Sequence, residues 1–399
     1  MDILFQDRKL EKACNDQLEF LPWRIIMANI AQNEYHPDYV SPPGETLLET
    51  LETIGMSQAE LAKRMGRPVK TINEIIQKKA AITAETALQL EQVLRIPASF
   101  WLKREQHYRE SLARLAEEHR LESWVEWLKE IPIRIMIRRG WIPACTGKSQ
   151  QVLEALKFFG VASPEAWQAI WESKVIAYRK ATVLKSNFGA VATWLRQGEL
   201  EAQKIECAPY NAEAFHDVLI RIRALTVEPV NFFQRELVYL CANAGVAVVF
   251  VQELANTGIC GSTQWLTPVK ALVQLSLRYK TDDQLWFTFF HEAGHILRHG
   301  KRQIFLEMDQ KDREEDEDEA NAFASNILIN RTQWQRFIAH DSYRTKVGIK
   351  EFARQIGIAP GIVVGRLQHE NLLPYGHCNE LKRFLEWNIE EVHDAIIGR

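Results

Sequence analysis

Residues 281–300 read TDDQLWFTFFHEAGHILRHG, and this stretch decides the fold of the C-terminal half of the chain. Its apolar residues recur at helical spacing, which predicts one continuous helix. Gly300 lies where a glycine commonly ends a helix. The first turn is expected to be capped by one of three polar residues, with Gln284 completing a capping box: Thr281, Asp282 or Asp283.

Two β-branched runs precede this helix, GVAVVFV at 245–251 and KALVQLSLRY at 270–279. Such runs, bounded by turn residues, predict strands, so a small sheet is expected directly before the helix. The second strand is also a candidate edge for binding an extended peptide. A second helix is predicted over 314–330, and its acidic start reads EEDEDE.

The helix at 281–300 contains the pattern HExxH, formed by His291, Glu292 and His295. Residues four apart share one face of a helix, so both imidazoles can bind one metal ion while Glu292 faces water at that ion. The pattern predicts Zn²⁺ with His291 and His295 as ligands and Glu292 as the catalytic base of peptide-bond hydrolysis. The structural alternative is an amphipathic helix with two half-buried histidines.

A catalytic zinc ion needs a third protein ligand. Lys301, the sixth residue after the HExxH pattern, excludes the metzincin arrangement. His299 lies one turn beyond the pattern, and we expect it to support the site or the helix end rather than to bind the ion. In the helix at 314–330, Asp316 and Glu317 project to the edges of the apolar stripe, and Glu319 projects about 100° from its centre. Glu317 is therefore expected to point inward as the third ligand, while Glu319 stays open as the alternative.

Residues 57–79 have the spacing of a helix-turn-helix unit, with SQAELAKRM as the first helix and VKTINEIIQKK as the second. The whole chain has a net charge of -3, but this segment carries six basic and two acidic residues and would attract phosphate. Gln58 and Lys79 are predicted to contact phosphate groups of DNA. Four residues are predicted to reach base edges or their surroundings: Lys70, Thr71, Asn73 and Gln77.

The composition is that of an ordinary globular protein, with 399 residues, 46% hydrophobic and 25% charged. This balance fits two or three domains and excludes disorder as the overall state. The six cysteines are far apart and form no CxxC pair, so neither a disulfide framework nor a cysteine zinc site is expected. No apolar run approaches the roughly 18 to 20 residues of a membrane helix and no signal peptide is recognisable, so a cytoplasmic protein without membrane contact is expected.

The stretch LVQLSLRYKTDDQLWFTFF, then HEAGHILRH and later EDEANAFASNILI, resembles the ImmA/IrrE family of metallopeptidases. The resemblance covers roughly residues 240–335. It implies a zincin-like fold, with His291, His295 and Glu317 as zinc ligands and Glu292 as the base.

Residues 44–105 are similar to the HigA/VapI branch of the lambda-repressor-like, XRE-family antitoxins and regulators. The similarity rests on SQAELAKRMG, on INEIIQKKAAIT and on TALQLEQVL followed by FWL. It implies that the second helix binds the major groove of a double-stranded operator, usually as a homodimer on a palindromic site. A helical domain that serves only for protein docking is the alternative.

Together these patterns predict a multidomain, mainly α-helical protein with an α+β zincin-like metallopeptidase domain and an N-terminal all-α helix-turn-helix domain. The predicted divisions are an N-terminal extension (1–42), a helix-turn-helix DNA-binding domain (43–110), a helical middle region (111–235), the metallopeptidase domain (236–340) and a C-terminal helical extension (341–399).

The leading hypothesis is a DNA-binding transcriptional regulator whose zinc endopeptidase cleaves a repressor-like protein or its own chain. The setting would be a stress or toxin-antitoxin type response. The alternative is a non-catalytic antitoxin or transcription factor that uses the metallopeptidase fold as a sensor or partner-binding domain. An aminopeptidase is disfavoured because no anchor for a free amine is apparent. Four residues are open candidates for stabilising a transition-state oxyanion, and a structural role is favoured for each: Tyr279, Arg366, His369 and Tyr375.

Overall fold

The computed structural model describes residues 41–177, 188–255, 257–299 and 310–387 of the chain. Most of the expected N-terminal extension, together with Gly300 and Lys301, lies outside the described residues. The chain divides into two compact units, residues 1–117 and 118–399. The domain boundaries drawn from the sequence stay predictions.

The first unit is helical, as the sequence predicts, and its second helix begins with a side-chain cap. Ser57 Oγ accepts a hydrogen bond from the backbone N–H of Glu60 at 3.1 Å. The same helix ends at Gly66, whose φ of 64° is in the left-handed region that favours glycine. The helices are α1 (Pro43–Ile54), α2 (Gln58–Met65), α3 (Val69–Ile76), α4 (Ala84–Leu94) and α5 (Ala98–Ser123), the last of which crosses into the second unit.

The helix α1 packs closely against α3, the second helix of the helix-turn-helix pair. A Cβ added at Gly44 would lie 2.2 Å from the carbonyl oxygen of Ile75, so only glycine fits there. Trp101 is fully buried in this core, whereas Phe100, its neighbour on α5, is exposed. The side chains that fill the core include Leu47, Leu51, Leu61, Ile72 and Leu90.

The second unit begins with further helices, which is the predicted helical middle region. Short 3₁₀ turns at Val125–Lys129 and Leu225–Val227 interrupt them. The helices are α6 (Ile133–Arg138), α7 (Lys148–Phe159), α8 (Pro164–Ala177), α9 (Phe188–Gln203), α10 (Ala212–Ala224) and α11 (Val230–Asn243).

A three-stranded sheet follows, made of β1 (Val246–Phe250), β2 (Gly261–Thr267) and β3 (Lys270–Leu275). The strand order is β1-β3-β2, with β1 parallel and β2 antiparallel to β3. The sequence predicts β1 and β3 but not β2, because GSTQWLT has few apolar β-branched residues. The expectation that the 270–279 strand offers a free edge is wrong, since β3 pairs on both sides and the edge strands are β1 and β2.

Five helices complete the unit: α12 (Asp282–Arg298), α13 (Gln310–Leu328), α14 (Arg331–Ile338), α15 (Lys346–Ile356) and α16 (Pro360–His369). They share one hydrophobic core with α10, α11 and one face of the sheet. The helices α12 and α13 pack closely because of Gly294, where an added Cβ would lie 3.3 Å from Ala320 Cα and 3.1 Å from Phe323 Cδ1. This contact brings the start of α13 over the HExxH residues of α12.

The start of α12 is held by buried charges rather than by the predicted capping box. Thr281 is the N-cap, but its side chain makes no capping hydrogen bond. Asp282 and Asp283 are buried, and they pair with Arg383 at 3.2 Å and with Lys382 at 2.7 Å. Burial raises the pKa of Asp282 above its ordinary value, while the hydrogen bonds and charge of Arg383 oppose that rise. We call these four residues the aspartate clamp.

Five cysteines are described, and none of them forms a disulfide: Cys145, Cys207, Cys241, Cys260 and Cys378. Only Cys241 is fully buried, and burial raises the pKa of its thiol, which keeps it protonated and inert. Within the described ranges, no helix has both the length and the apolar character needed to cross a membrane.

Candidate functional site

The two histidines of the HExxH pattern and Glu317 meet at one point between α12 and α13. The Nε2 atoms of His291 and His295 are 3.1 Å apart. The carboxylate oxygens of Glu317 lie 3.5 Å from Nε2 of His291 and 3.6 Å from Nε2 of His295. Two ligands of a tetrahedral zinc ion with bonds of about 2.0–2.1 Å would be roughly 3.3 Å apart. The three side chains therefore have the spacing that one zinc ion requires.

Each histidine is oriented by a contact at its other ring nitrogen. Nδ1 of His291 lies 3.0 Å from Oδ1 of Asn321, and Nδ1 of His295 lies 3.0 Å from Nδ1 of His299. These contacts use the nitrogens that face away from Glu317. Two nitrogen donors and one oxygen donor, with their orientation fixed, form a typical donor set of a catalytic zinc site.

The structure separates the two glutamates between which the sequence analysis left the third ligand open. Glu317 approaches both Nε2 atoms, whereas Oε2 of Glu319 lies 3.4 Å from Nε2 of His299, one turn further along α12. The described residues contain one group of three side chains able to hold a metal ion, namely His291, His295 and Glu317.

Glu292 is buried between α12 and the edge strand β2, with 8% of its surface exposed. Its carboxylate lies against the backbone of Gly261, where an added Cβ would be 2.9 Å from Oε1. Its backbone carbonyl accepts a hydrogen bond from Thr263 Oγ1 at 3.1 Å. The strand that contacts this carboxylate is therefore also one of the two edge strands of the sheet.

The four candidates for oxyanion stabilisation have other surroundings. Arg366 donates to the backbone carbonyls of Ser325 and Ile329 at the end of α13, and to Glu370. Tyr279, His369 and Tyr375 are exposed. A cleft with about 250 Å³ of empty volume lies between the end of β3 and the first half of α12, and Tyr279 lines it together with Cys260, Gln284 and Thr288.

In the helix-turn-helix unit, five of the six predicted DNA contacts lie on or directly after α3, and Gln58 begins α2. Asn73, Gln77 and Lys79 are linked by hydrogen bonds from Gln77 Nε2 to Asn73 Oδ1 (3.0 Å) and from Lys79 Nζ to Gln77 Oε1 (2.9 Å). The helix is shorter than predicted, because Gln77 is its C-cap and Lys78 has a φ of 67°. Four of the predicted contacts are exposed, namely Lys70, Asn73, Gln77 and Lys79. The other two, Gln58 and Thr71, are half-buried.

Three residues near the metal cluster were missed in the sequence. Asn321 orients His291, and its position four residues after Glu317 on one helix face was an available signal. Gly261 and Gly294 allow the close approach of β2 and α13 to α12. A glycine inside the HExxH pattern is an anomaly in a helix, and it could have indicated such close packing.

Comparison with known families agrees with both parts of this geometry. Residues 254–368 match the IrrE N-terminal-like domain of the M78 peptidases, and residues 47–101 match the helix-turn-helix family. A solved structure titled as an addiction module antidote protein of the HigA family, from Coxiella burnetii, is 30% identical to the chain. The alignment covers 21% of this chain and 92% of that chain, with a TM-score of 0.20. No match was found among curated proteins.

The two resemblances inferred from the sequence are thereby confirmed, as are the fold class and the joining of two unrelated functional units. The helix-turn-helix match supports DNA binding, and the IrrE match supports a metallopeptidase-type domain. The chain therefore carries a helix-turn-helix domain at residues 47–101 and an IrrE-like, metallopeptidase-type domain at residues 254–368, which together support a DNA-binding transcription regulator with a protease-like domain.

Proposed function

We propose that the IrrE-like domain is an active zinc endopeptidase, and that the chain cleaves a repressor-like protein or itself in a stress or toxin-antitoxin type response. The observation that carries the proposal is the convergence of His291, His295 and Glu317 beside a buried Glu292. A domain used only for binding would not need a carboxylate held in that position.

His291, His295 and Glu317 would hold the ion, and Glu292 would move the proton. When bound, zinc in such a site supplies Lewis acidity, which makes water nucleophilic enough to attack a peptide carbonyl near neutral pH. The Glu292 carboxylate then accepts the proton of the attacking water and delivers it to the leaving amine.

The edge strand β2 is suited to bind the substrate as an added strand. Ser276 donates its backbone N–H to the carbonyl of Cys260 at 2.8 Å, so the backbone of Cys260 faces β3. Backbone direction alternates along an antiparallel strand, so the amide groups of Gly261 and Thr263 point to the outer edge. An extended peptide paired there would run past the Glu292 carboxylate, which contacts Gly261.

Metal content and its removal test the enzymatic part. The purified full chain is expected to contain one zinc ion by elemental analysis, and to cleave unfolded casein or its own backbone. Treatment with a chelator should stop cleavage, and added zinc should restore it, because the three ligands form the site without another partner. A chain that neither contains nor takes up zinc would contradict the proposal. Bound zinc without cleavage would favour the non-catalytic antitoxin.

The substitution Asn73→Ala tests the DNA-binding part of the proposal. A DNA duplex that the unmodified chain selects from a random pool serves as the operator. We expect the variant to lose about 1–3 kcal/mol of specific binding, because its amide is placed to read a base edge. Lys79→Ala should instead weaken binding to every sequence and lower the slope of the salt dependence by about one, as a phosphate contact does. Unchanged discrimination between selected and scrambled duplexes in Asn73→Ala would refute the assignment.

A homodimer on a palindromic operator is part of the same proposal. It is supported by the helix-turn-helix match and by the exposed surface of α3. Half-sites one helical turn apart in the selected duplexes would be its signature.

A further inference from the structure

We propose that His299 is a positioning residue for the metal centre, which holds His295 in one tautomer and one ring orientation and is itself anchored by Asp316 and Glu319. The inference rests on the zinc site described under the proposed function. It concerns how the site is prepared for the ion, and it assigns a role to two of the acidic residues at the start of α13.

The side chain of His299 is buried and lies at hydrogen-bond distance from His295. His299 is the C-cap residue of α12, and its side chain is only 7% exposed. Its Nδ1 lies 3.0 Å from Nδ1 of His295, and the two rings are tilted by 52° with centroids 5.2 Å apart. The imidazole of His295 therefore has His299 on one side and the metal-binding point on the other.

This contact determines where the ring protons lie. When Nε2 of His295 serves as a metal ligand, its ring proton is on Nδ1 and is donated to Nδ1 of His299. His299 must then accept at Nδ1 and carry its own proton on Nε2.

Two carboxylates stabilise that arrangement. Nε2 of His299 lies 3.1 Å from Oδ1 of Asp316 and 3.4 Å from Oε2 of Glu319. The negative charge attracts the positive end of the Nε2–H bond, which favours the tautomer that leaves Nδ1 free to accept. The line of contacts runs from α13 through His299 to His295, and the two carboxylates act on Nε2 of His299 through their charge.

The second ligand is oriented differently, which makes the role of His299 separable. His291 meets the amide oxygen of Asn321, at 3.0 Å, without an intervening ring. Asn321 lies on α13 with Glu317, whereas His299 is the C-cap of α12 and has its two carboxylates on α13. Docking of α13 therefore supplies a ligand, the support of His291 and the carboxylates that anchor His299.

The test compares two substitutions of His299 in the full chain. Phenylalanine fills the space of the imidazole but accepts no hydrogen bond, whereas asparagine places an amide oxygen near the position of Nδ1. Zinc affinity, measured by competition with a metal-binding dye, is expected to fall about 10- to 100-fold in His299→Phe and to stay within a few-fold in His299→Asn. The absorption spectrum of bound Co²⁺ should change in the phenylalanine variant only.

The outcomes separate this inference from the proposed function. Failure of the unmodified chain to bind zinc would overturn both. Unchanged affinity in His299→Phe, or equal losses in the two variants, would overturn only the positioning role. If His299→Phe fails to fold, the double variant Asp316→Asn with Glu319→Gln replaces it as the test. That variant removes the two carboxylate charges beside His299 and leaves His299 in place. A several-fold loss of zinc affinity supports the inference there, and an unchanged affinity overturns it.

Discussion

Replacement of Glu292 with glutamine is expected to lower the rate of peptide cleavage by about 10²- to 10⁴-fold, the usual contribution of a general base. Glutamine keeps the size and burial of the side chain, so the contact with Gly261 and the packing of α12 on β2 should persist. It accepts no proton at neutral pH, and the attacking water then has no base. Cleavage of unfolded casein by zinc-loaded protein, followed by mass spectrometry, measures the loss.

The zinc content distinguishes a missing base from a missing metal. Glu292→Gln should retain one zinc ion per chain, whereas His291→Ala should lose it, because Nε2 of His291 is one of the three atoms that define the site. Glu315→Gln is a matched control on α13, because Glu315 is exposed and outside the metal cluster. Retained proteolysis in zinc-loaded Glu292→Gln would exclude the proposed role of this carboxylate.

Replacement of Lys382 with methionine is expected to destabilise the second unit by about 3–5 kcal/mol, the usual cost of breaking a buried ion pair by removal of one partner. Lys382 Nζ lies 2.7 Å from Oδ2 of Asp283, and the two side chains are 12% and 3% exposed. Methionine fills most of the volume but leaves the Asp283 carboxylate buried without its cation. Lys382 also donates to Gln368 Oε1 at 2.8 Å, and this contact is lost too.

The free energy of unfolding, measured with denaturant on the second unit's transition, checks this expectation. The double variant Asp283→Asn with Lys382→Met should be more stable than Lys382→Met alone, because it no longer buries an unpaired charge. Lys346→Met is the surface control: Lys346 pairs with Glu380 in solvent, and little change is expected. A Lys382→Met protein as stable as the unmodified chain would show that Asp283 does not depend on Lys382.

Much of the candidate site could be predicted from the sequence because its residues are close together along the chain. His291 and His295 are four residues apart on one helix, and the helical period alone places them on one face. Glu317 could be preferred over Glu319 by the same projection along α13. Local periodicity also gave the helix-turn-helix pair, whose packing depends on Leu61 and Ile72.

The remaining features depend on contacts between distant segments, and no local pattern encodes them. The strand β2 exists because it pairs with β3, although GSTQWLT has a weak strand propensity of its own. The start of α12 is fixed by Lys382 and Arg383, about a hundred residues away, which is why the expected capping box fails. The anchoring of His299 likewise requires α13 to be docked.

The aspartate clamp also has a consequence for the order of events during synthesis. Arg383 contacts Asp282 and donates to the backbone carbonyls of Thr226 and Glu228, so it joins three segments spread over more than 150 residues. On the ribosome these contacts cannot form until the chain has been made past Arg383. The helix-turn-helix unit, whose contacts are local, can fold much earlier. A newly made chain can thus bind DNA before the contacts of Arg383 fix the start of α12, the helix of the HExxH residues.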